Sequence, residues 1–484
     1  MERMKLYNTL SRQKENFEPL DGKTAKIYSC GPTVYSSPSI GNMRAYIFTD
    51  ILKKTLEMMG FEILDVMNIT DVGHLQSDAD DGEDKMELSA KKHSLTAGEI
   101  AKIYTDEFFN FCEKLNIRES KIIAPATKFV DKMIDHIKGL EAKGLTYATS
   151  DGLYFDSSKF ENYYALRLGL KDKKQNIKDE GGKRINLGEK RNANDFCLWR
   201  KTPPAALQKW DSQWGIGMPG WHIECSAISR ACLGDTIDIH TGGVDHIPIH
   251  HTNEIAQTES LTGKQYSRFW LHNEFVMING GKMSKSLGNV YTVNDLVKQG
   301  LYKDLSLMGF RYMVLQSHYR TIMNFTWDAL NSATVAYMNL VKALSKHKYH
   351  DIEKSRGQKI KLADLKESFL NFLKDDLNTP KALAFVWELV KHEPHKDIYQ
   401  LVLEFDSVLS LGLEDAVNDY GEPIVPDHIL NEVKMLARQR LEAKGQKDWA
   451  LADSLRTVIN DLLKPYIHEI VDVNTEEKYE IRRI

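Results

Sequence analysis

The sequence predicts an α/β protein, with an interrupted parallel sheet toward the N-terminus and mostly helical units after it. Three observations predict this. Residues 25–30 read as a buried strand, Gly31-Pro32 and Pro38 as a turn, and residues 41–59 as a long amphipathic helix. Strand-like segments return at 235–240 and 269–277, after a stretch of different character. From about residue 320 onward the pattern is helical.

Each element has a local reason. In the first helix Met43, Ile47 and Ile51 recur at helical spacing, with Phe48, Leu52 and Leu56 widening the stripe and Gly60 as a natural C-cap. Residues 61–70 read as the next strand and the acidic, Gly-containing 77–84 as a loop; the spacing over 71–84 does not match an EF-hand, which favours a solvated loop. A helical pattern runs over 95–117 through Ile100, Ile103, Tyr104, Phe108, Phe111 and Leu115. Residues 120–195 read as an inserted module, with a strand at 152–155 and a charged, mobile loop at 171–192. A Pro-bearing link at 421–426 sets off the last unit. The expected boundaries are 1–119 and 196–270 for the two halves of the sheet domain, 120–195 for the insertion, then 271–322, 323–420 and 421–484.

A chain of 484 residues is too long for one core, and roughly 100–200 residues per domain suggests three or four. The composition, 42% hydrophobic and 27% charged, is that of a soluble globular protein, and no apolar run reaches the roughly 18 residues of a membrane span. The first seven residues lack the apolar core of a secretory signal. Cysteines at 30, 112, 197, 225 and 232 are odd in number and widely spaced, which argues for reduced thiols and a cytoplasmic protein. With a net charge of −4 there is no global field for nucleic acid, so any such contact must come from local basic patches.

Two segments carry chemistry. Strand-to-helix junctions at the carboxyl edge of a parallel sheet hold phosphates, because unpaired N–H groups and the helix dipole favour anions there. Cys30 ends the first strand beside such a junction, where a thiol can bind a metal or a substrate. The second segment, Gly280-Gly281-Lys282-Met283-Ser284-Lys285-Ser286-Leu287-Gly288-Asn289, is a donor-rich loop able to close over phosphate oxygens; the plain alternative is an exposed basic turn.

Together these segments resemble class I aminoacyl-tRNA synthetases, which carry a HIGH-type motif early and KMSKS late. Ser39-Ile40-Gly41-Asn42 stands in the HIGH position. Cys30-Gly31-Pro32-Thr33-Val34-Tyr35, Asn68-Ile69-Thr70-Asp71, Trp221-His222-Ile223-Glu224-Cys225, His250-His251-Thr252-Asn253-Glu254 and Lys282–Ser286 are similar to the cysteinyl-tRNA synthetase family, essentially end to end. The resemblance implies a split Rossmann-type catalytic domain with a connective insertion, then a stem-contact region, a helical bundle and a small anticodon-binding unit.

It also implies the site. Cys30, Cys225, His250 and Glu254 would ligate one Zn2+, with His250 and Glu254 on one face of a helix starting near Pro248; His251, Cys112, Cys197 and Cys232 are left as ordinary side chains. Gly41, Asn42, Asp245 and Lys285 would bind ATP with its Mg2+, and Ser39, Asn42, Lys282 and Lys285 would act in catalysis. Gly31, Thr70, Trp221 and His240 would line the cysteine pocket, although core packing is an equal reading for Trp221 and His240. Zinc would distinguish cysteine from serine, since a thiol ionises on the metal where a hydroxyl does not, whereas pocket shape gives only about 1–3 kcal/mol for small differences. Ser39 departs from the family's histidine, and is too short to reach as an imidazole does.

The segment 438–456 is basic and aromatic. Arg438, Arg440, Lys444, Lys447, Trp449 and Arg456 are expected to meet tRNA(Cys), the alternative being a charged helix face. The expected activity is ligation of L-cysteine to tRNA(Cys) by a monomer away from membranes. The rival readings are a paralogue joining cysteine to an amino sugar and a non-catalytic cysteine- or tRNA-binding protein.

Overall fold

The computed structural model describes residues 3–73, 84–167, 188–203, 205–284, 287–348, 361–419, 427–463, 468–472 and 479–483. The stretch 77–83, most of the charged loop at 171–192 and the link at 421–426 lie outside the described residues. The chain forms two compact units: Met1–Met277 with Ser317–Met323 and Glu367–Ala382, and Ile278–Gln316 with Asn324–Lys366 and Leu383–Ile484.

The first unit is built on a five-stranded sheet of β1 (Thr24–Ser29), β2 (Glu62–Ile69), β3 (Ile122–Pro125), β4 (Ile237–Gly243) and β5 (Ser267–Asn273). Every pairing is parallel and the order is β5-β4-β1-β2-β3, the doubly wound arrangement. The central strands are buried along most of their length, as strands covered on both faces must be. The order in which successive strands are added to the sheet reverses between β1 and β4, so the crevice beyond Ser29 and Gly243 is the place such folds use for ligands.

Helix α1 (Ile40–Met58) follows β1. Ser39 and Asn42 form a capping box that satisfies N–H groups at its start. The buried Lys53 Nζ of α1 meets Asp65 Oδ2 of β2 at 2.8 Å, and Asp65 Oδ1 accepts from the Lys121 N–H at 3.0 Å. Helices α2 (Trp221–Leu233) and α3 (His250–Thr262) flank β4 in sequence and pack on each other through a core that includes Ile223, Ile228 and Ala256.

A four-stranded antiparallel sheet, Thr146–Ala148, Gly152–Phe155, Phe196–Lys201 and Gly217–Pro219, interrupts the parallel one. Its edges differ from the expected 120–195. Ile122–Pro125 pairs with β2 in the parallel sheet, whereas Phe196–Lys201 pairs with the inserted Gly152–Phe155. A four-residue strand has too little periodicity to declare its sheet, and pairing is a non-local property.

In the second unit, helices Leu305–Leu315, Trp327–Lys348 and Lys396–Leu409 enclose the buried Arg311, whose Nε donates to the Leu409 carbonyl at 2.8 Å. Further along, helices Asp427–Gly445 and Trp449–Leu463 share a core of Val433, Ala437, Ile459 and Leu463 with Ile470 of the hairpin His468–Asp472/Tyr479–Arg483. Among the described residues, no helix is long and apolar enough to cross a membrane.

Candidate active site

The crevice at the end of β1 and β4 holds a buried cluster of sulfur, imidazole and carboxylate. Cys30 directly follows β1, Cys225 lies in the second turn of α2, and His250 and Glu254 occupy the first turns of α3. The four ligand atoms lie within 4.8 Å of one another. The two Sγ atoms are 4.0 Å apart, and His250 Nε2 is 3.1 Å from Glu254 Oε1. Tetrahedral bonds near 2.3 Å would separate two sulfurs by roughly 3.8 Å. Glu254 Oε1 is fully buried and makes no hydrogen bond among the described residues, although an imidazole nitrogen lies so near. Two lone pairs aimed at a common point, beside two thiols, make a donor set that fits Zn2+.

Neighbours fix the orientation of two of the donors, Glu254 and His250. Glu254 Oε2 lies 2.9 Å from His240 Nε2 and accepts from Tyr266 Oη at 3.3 Å. His250 Nδ1 lies 2.9 Å from His222 Nδ1, and Trp221 stacks on the His250 ring with centroids 4.3 Å apart. His240 is fully buried and stacked on Trp270. Partners of this kind set the direction and basicity of metal ligands.

Sequence reasoning missed His251. Its Nε2 lies 3.4 Å from Cys30 Sγ, and with Cys30, His240 and Glu254 it forms a second, overlapping group of convergent donors. The available signal was its position three residues before Glu254, which puts both on one helical face. Burial opposes ionisation of Cys30, but the hydrogen bond with Cys225 and the neighbouring imidazoles outweigh it and hold this thiol well below its ordinary pKa. Burial and then the nearby Cys30 push Cys225 well above. Burial and the charge of His240 lower His251 far below the usual imidazole range, and burial does the same to His272. His246 moves the other way, to about 10, because Asp245 and Cys30 outweigh its burial. A Cβ on Gly242 would fall 2.6 Å from His251 Cε1, so this approach of β4 to the cluster requires glycine.

Gly31, Asn68, Thr70 and Glu224 form a chain beside Cys30. The Gly31 N–H donates to Asn68 Oδ1 at 2.8 Å, and Asn68 Nδ2 donates to Thr70 Oγ1 at 3.1 Å. Thr70 Oγ1 in turn donates to Glu224 Oε2 at 2.9 Å. One lone pair of the Thr70 hydroxyl is left outside this chain. Burial pushes the Glu224 carboxyl well above the usual range despite the bond from Thr70, and its Oε1 has no hydrogen-bond partner among the described residues. At the head of α1 the Asn42 Oδ1 accepts both the N–H and the hydroxyl of Ser39 at 2.9 and 2.8 Å, so the NH2 end of Asn42 takes no part in the box. Gly41 lies in the first turn of α1, and Asp245 is exposed on a short turn after β4.

Lys282 belongs to the second unit and is exposed; Lys285 lies outside the described residues. The loop is pinned by Asn289, whose Nδ2 donates to the Lys282 carbonyl at 3.0 Å and whose Oδ1 accepts from the Ser284 N–H at 2.8 Å. Toward the C-terminus, Arg438, Lys447, Trp449 and Arg456 are exposed. Arg440, expected on that surface, is instead buried and grips Asp472 through two bonds of 2.6 and 3.0 Å, with Lys444 adding a third at 2.8 Å. A bidentate arginine bracing a helix to a hairpin is a tertiary contact that helical spacing does not reveal.

A family model described as tRNA synthetases class I (C) catalytic domain matches residues 16–335. A cysteine–tRNA ligase of Treponema denticola is 42% identical over 94% of this chain and 95% of its own. The chain belongs to the class I cysteinyl-tRNA synthetase family. Another member of that family, cysteine–tRNA ligase 1 of Burkholderia lata, is 41% identical over 94% of this chain and 93% of its own. The fold is also that of Mycobacterium tuberculosis methionyl-tRNA synthetase in complex with methionyl-adenylate, with a TM-score of 0.55 at 14% identity over 82% of this chain and 91% of that one. A class I synthetase is a ligase, and the doubly wound sheet with the crevice beyond β1 and β4 is the framework that this family's catalytic domain shares here.

Proposed function

We propose that the chain ligates L-cysteine to tRNA(Cys) with cleavage of ATP, through a cysteinyl-adenylate, and acts as a monomer. The observation that carries this reading is the convergence of Cys30, Cys225, His250 and Glu254 at the carboxyl end of the paired strands β1 and β4. These four residues would hold Zn2+, and the ion when bound supplies a thiophilic Lewis-acid site that prefers the thiol of cysteine to the hydroxyl of serine.

Thr70, on the chain that runs from Gly31 to Glu224, offers an oxygen lone pair suited to the substrate ammonium. Trp221 and His240 orient the donors His250 and Glu254, and on this reading they would line the cysteine pocket beside them. Gly41 and the head of α1 present backbone N–H groups to the phosphates of Mg2+–ATP, with the Asn42 amide as an added donor and Asp245 for the adenosine. The cysteine carboxylate attacks the α-phosphate, pyrophosphate leaves, and Lys282 and Lys285 stabilise its developing charge. The terminal adenosine of tRNA then takes the cysteinyl group, while Arg438, Lys447, Trp449 and Arg456 hold the tRNA through phosphates and stacked bases.

Cysteine-dependent exchange of pyrophosphate into ATP, followed by charging of tRNA(Cys), tests the reading. Exchange and charging that both vanish on chelation and return with zinc support it. No exchange by the zinc-loaded chain sinks it, and exchange without charging points to the amino-sugar ligase instead.

A further inference from the structure

Arg44 sits in α1, about 6 Å along the helix axis from Ile40. It is 1% exposed, and its guanidinium faces backbone carbonyls. One terminal nitrogen donates to Glu274 and Phe275 O, both at 2.8 Å; the other donates to His318 O at 3.2 Å and Thr321 O at 2.5 Å. Those two segments also pair with each other, the Glu274 N–H donating to Tyr319 O at 2.8 Å and the Met323 N–H to Phe275 O at 3.0 Å. Between them the chain makes one excursion, over 276–317, and that excursion carries Lys282 and Lys285. A single side chain therefore ties both ends of the excursion to the helix that opens at Ser39–Asn42. Only arginine can do this, because its planar fork serves two strands at once, whereas a lysine ammonium is a point donor. Burial lowers the Arg44 pKa to about 10, so the group stays charged at neutral pH.

We propose that Arg44 is a positioning residue for adenylate formation: it fixes the neck from which the Lys282–Lys285 loop departs, and touches neither substrate. The proposal rests on the ligase reading above. It separates Arg44 from the cysteine pocket, whose residues the guanidinium does not contact through any of its four hydrogen bonds.

The test is pyrophosphate exchange by the zinc-loaded full chain carrying Arg44→Lys, alone and in a Lys282→Ala/Lys285→Ala background. A displaced loop predicts a kcat lowered on the order of 30- to 100-fold, with KM for cysteine within about twofold. Because Arg44 acts through the lysines, the same substitution in the double-alanine background costs no more than about threefold further. Arg44→Ala adds a second arm, in which added methylguanidinium restores a measurable part of kcat. An unchanged kcat in Arg44→Lys, a full multiplicative loss in the double-alanine background, or parallel loss of cysteine affinity and thermal stability each overturns the proposal. Absence of exchange in the unsubstituted chain refutes the ligase reading, and this proposal with it.

Discussion

His251 Nδ1 lies 2.8 Å from His272 Nε2, with the other nitrogen of His251 against Cys30 Sγ and the other nitrogen of His272 2.7 Å from Thr9 Oγ1. With Cys30 as the thiolate that its lowered pKa favours, the four groups form a relay whose proton direction follows. A Cys30 thiolate accepts from His251 Nε2–H; His251 Nδ1 then accepts from His272 Nε2–H; and His272 Nδ1 accepts from the Thr9 hydroxyl. Both rings are neutral in this arrangement, in keeping with pKa values driven well below the usual imidazole range by burial.

His272→Phe removes the donor that sets the His251 tautomer, and with it the hydrogen bond directed at the Cys30 sulfur. Zinc affinity is expected to fall roughly 10- to 100-fold, as for other outer partners of metal ligands. Competition with a chromophoric chelator measures it, and an affinity equal to that of the unsubstituted chain refutes the relay.

The Thr70 hydroxyl directs its proton at Glu224, which on the proposed reading leaves a lone pair for the substrate ammonium. Glu224→Leu frees that proton to point at the substrate ammonium, and KM for cysteine is expected to rise about tenfold, or about 1.4 kcal/mol. Glu224→Gln retains a carbonyl acceptor and is expected to stay within about threefold. Steady-state exchange kinetics with both variants separates an acceptor role from a charge role.

Ser39 caps α1 through its hydroxyl, so Ser39→His gives up a cap that is worth about 1 kcal/mol. A thermal midpoint lower by about 2–4 °C is expected, together with cysteine activation at least as fast as before. Calorimetry and exchange rates check the two halves independently. A large fall in rate would mean that the capping box itself shapes the phosphate site.

The Lys53–Asp65 pair is expected to govern stability in acid. Burial raises the Asp65 pKa, yet the charge of Lys53 and its hydrogen bonds more than offset this, and the folded-state value is lowered. A depressed carboxylate stabilises the fold fully above its unfolded value of 3.8, and that stabilisation is lost as pH falls through the lower folded value. Asp65→Asn leaves a buried ammonium without its counter-ion, at a cost of about 3–5 kcal/mol. Urea midpoints should show a constant gap between the two proteins from pH 8 to about pH 5, narrowing only in stronger acid.

What could be read from the residues follows from the range of the interactions. The opening strand, turn and helix are local, and the stripe of Met43, Ile47 and Ile51 marks the buried face directly: all three are buried. Family likeness pointed to Cys30, Cys225, His250 and Glu254, which no spacing rule would join, and the fold brings them together. The strand Ile122–Pro125 was too short to show its partner, and the inward turn of Arg440 depends on Asp472 in a hairpin 32 residues away. In the sequence His251 reads as an ordinary side chain and His272 is not singled out, for a related reason. A histidine in a sequence carries no mark of whether its neighbours will be water or other imidazoles.

The cluster draws Cys30 from before the inserted sheet and Cys225, His250 and Glu254 from after it. A growing polypeptide leaving the ribosome thus has its first thiol long before the other three donors, and the group of four cannot assemble until the chain has been made through Glu254. A metal held by these four residues would therefore mark that the stretch from Cys30 to Glu254 has been made and seated, while Ser267–Asn273 of the same sheet is still to be added.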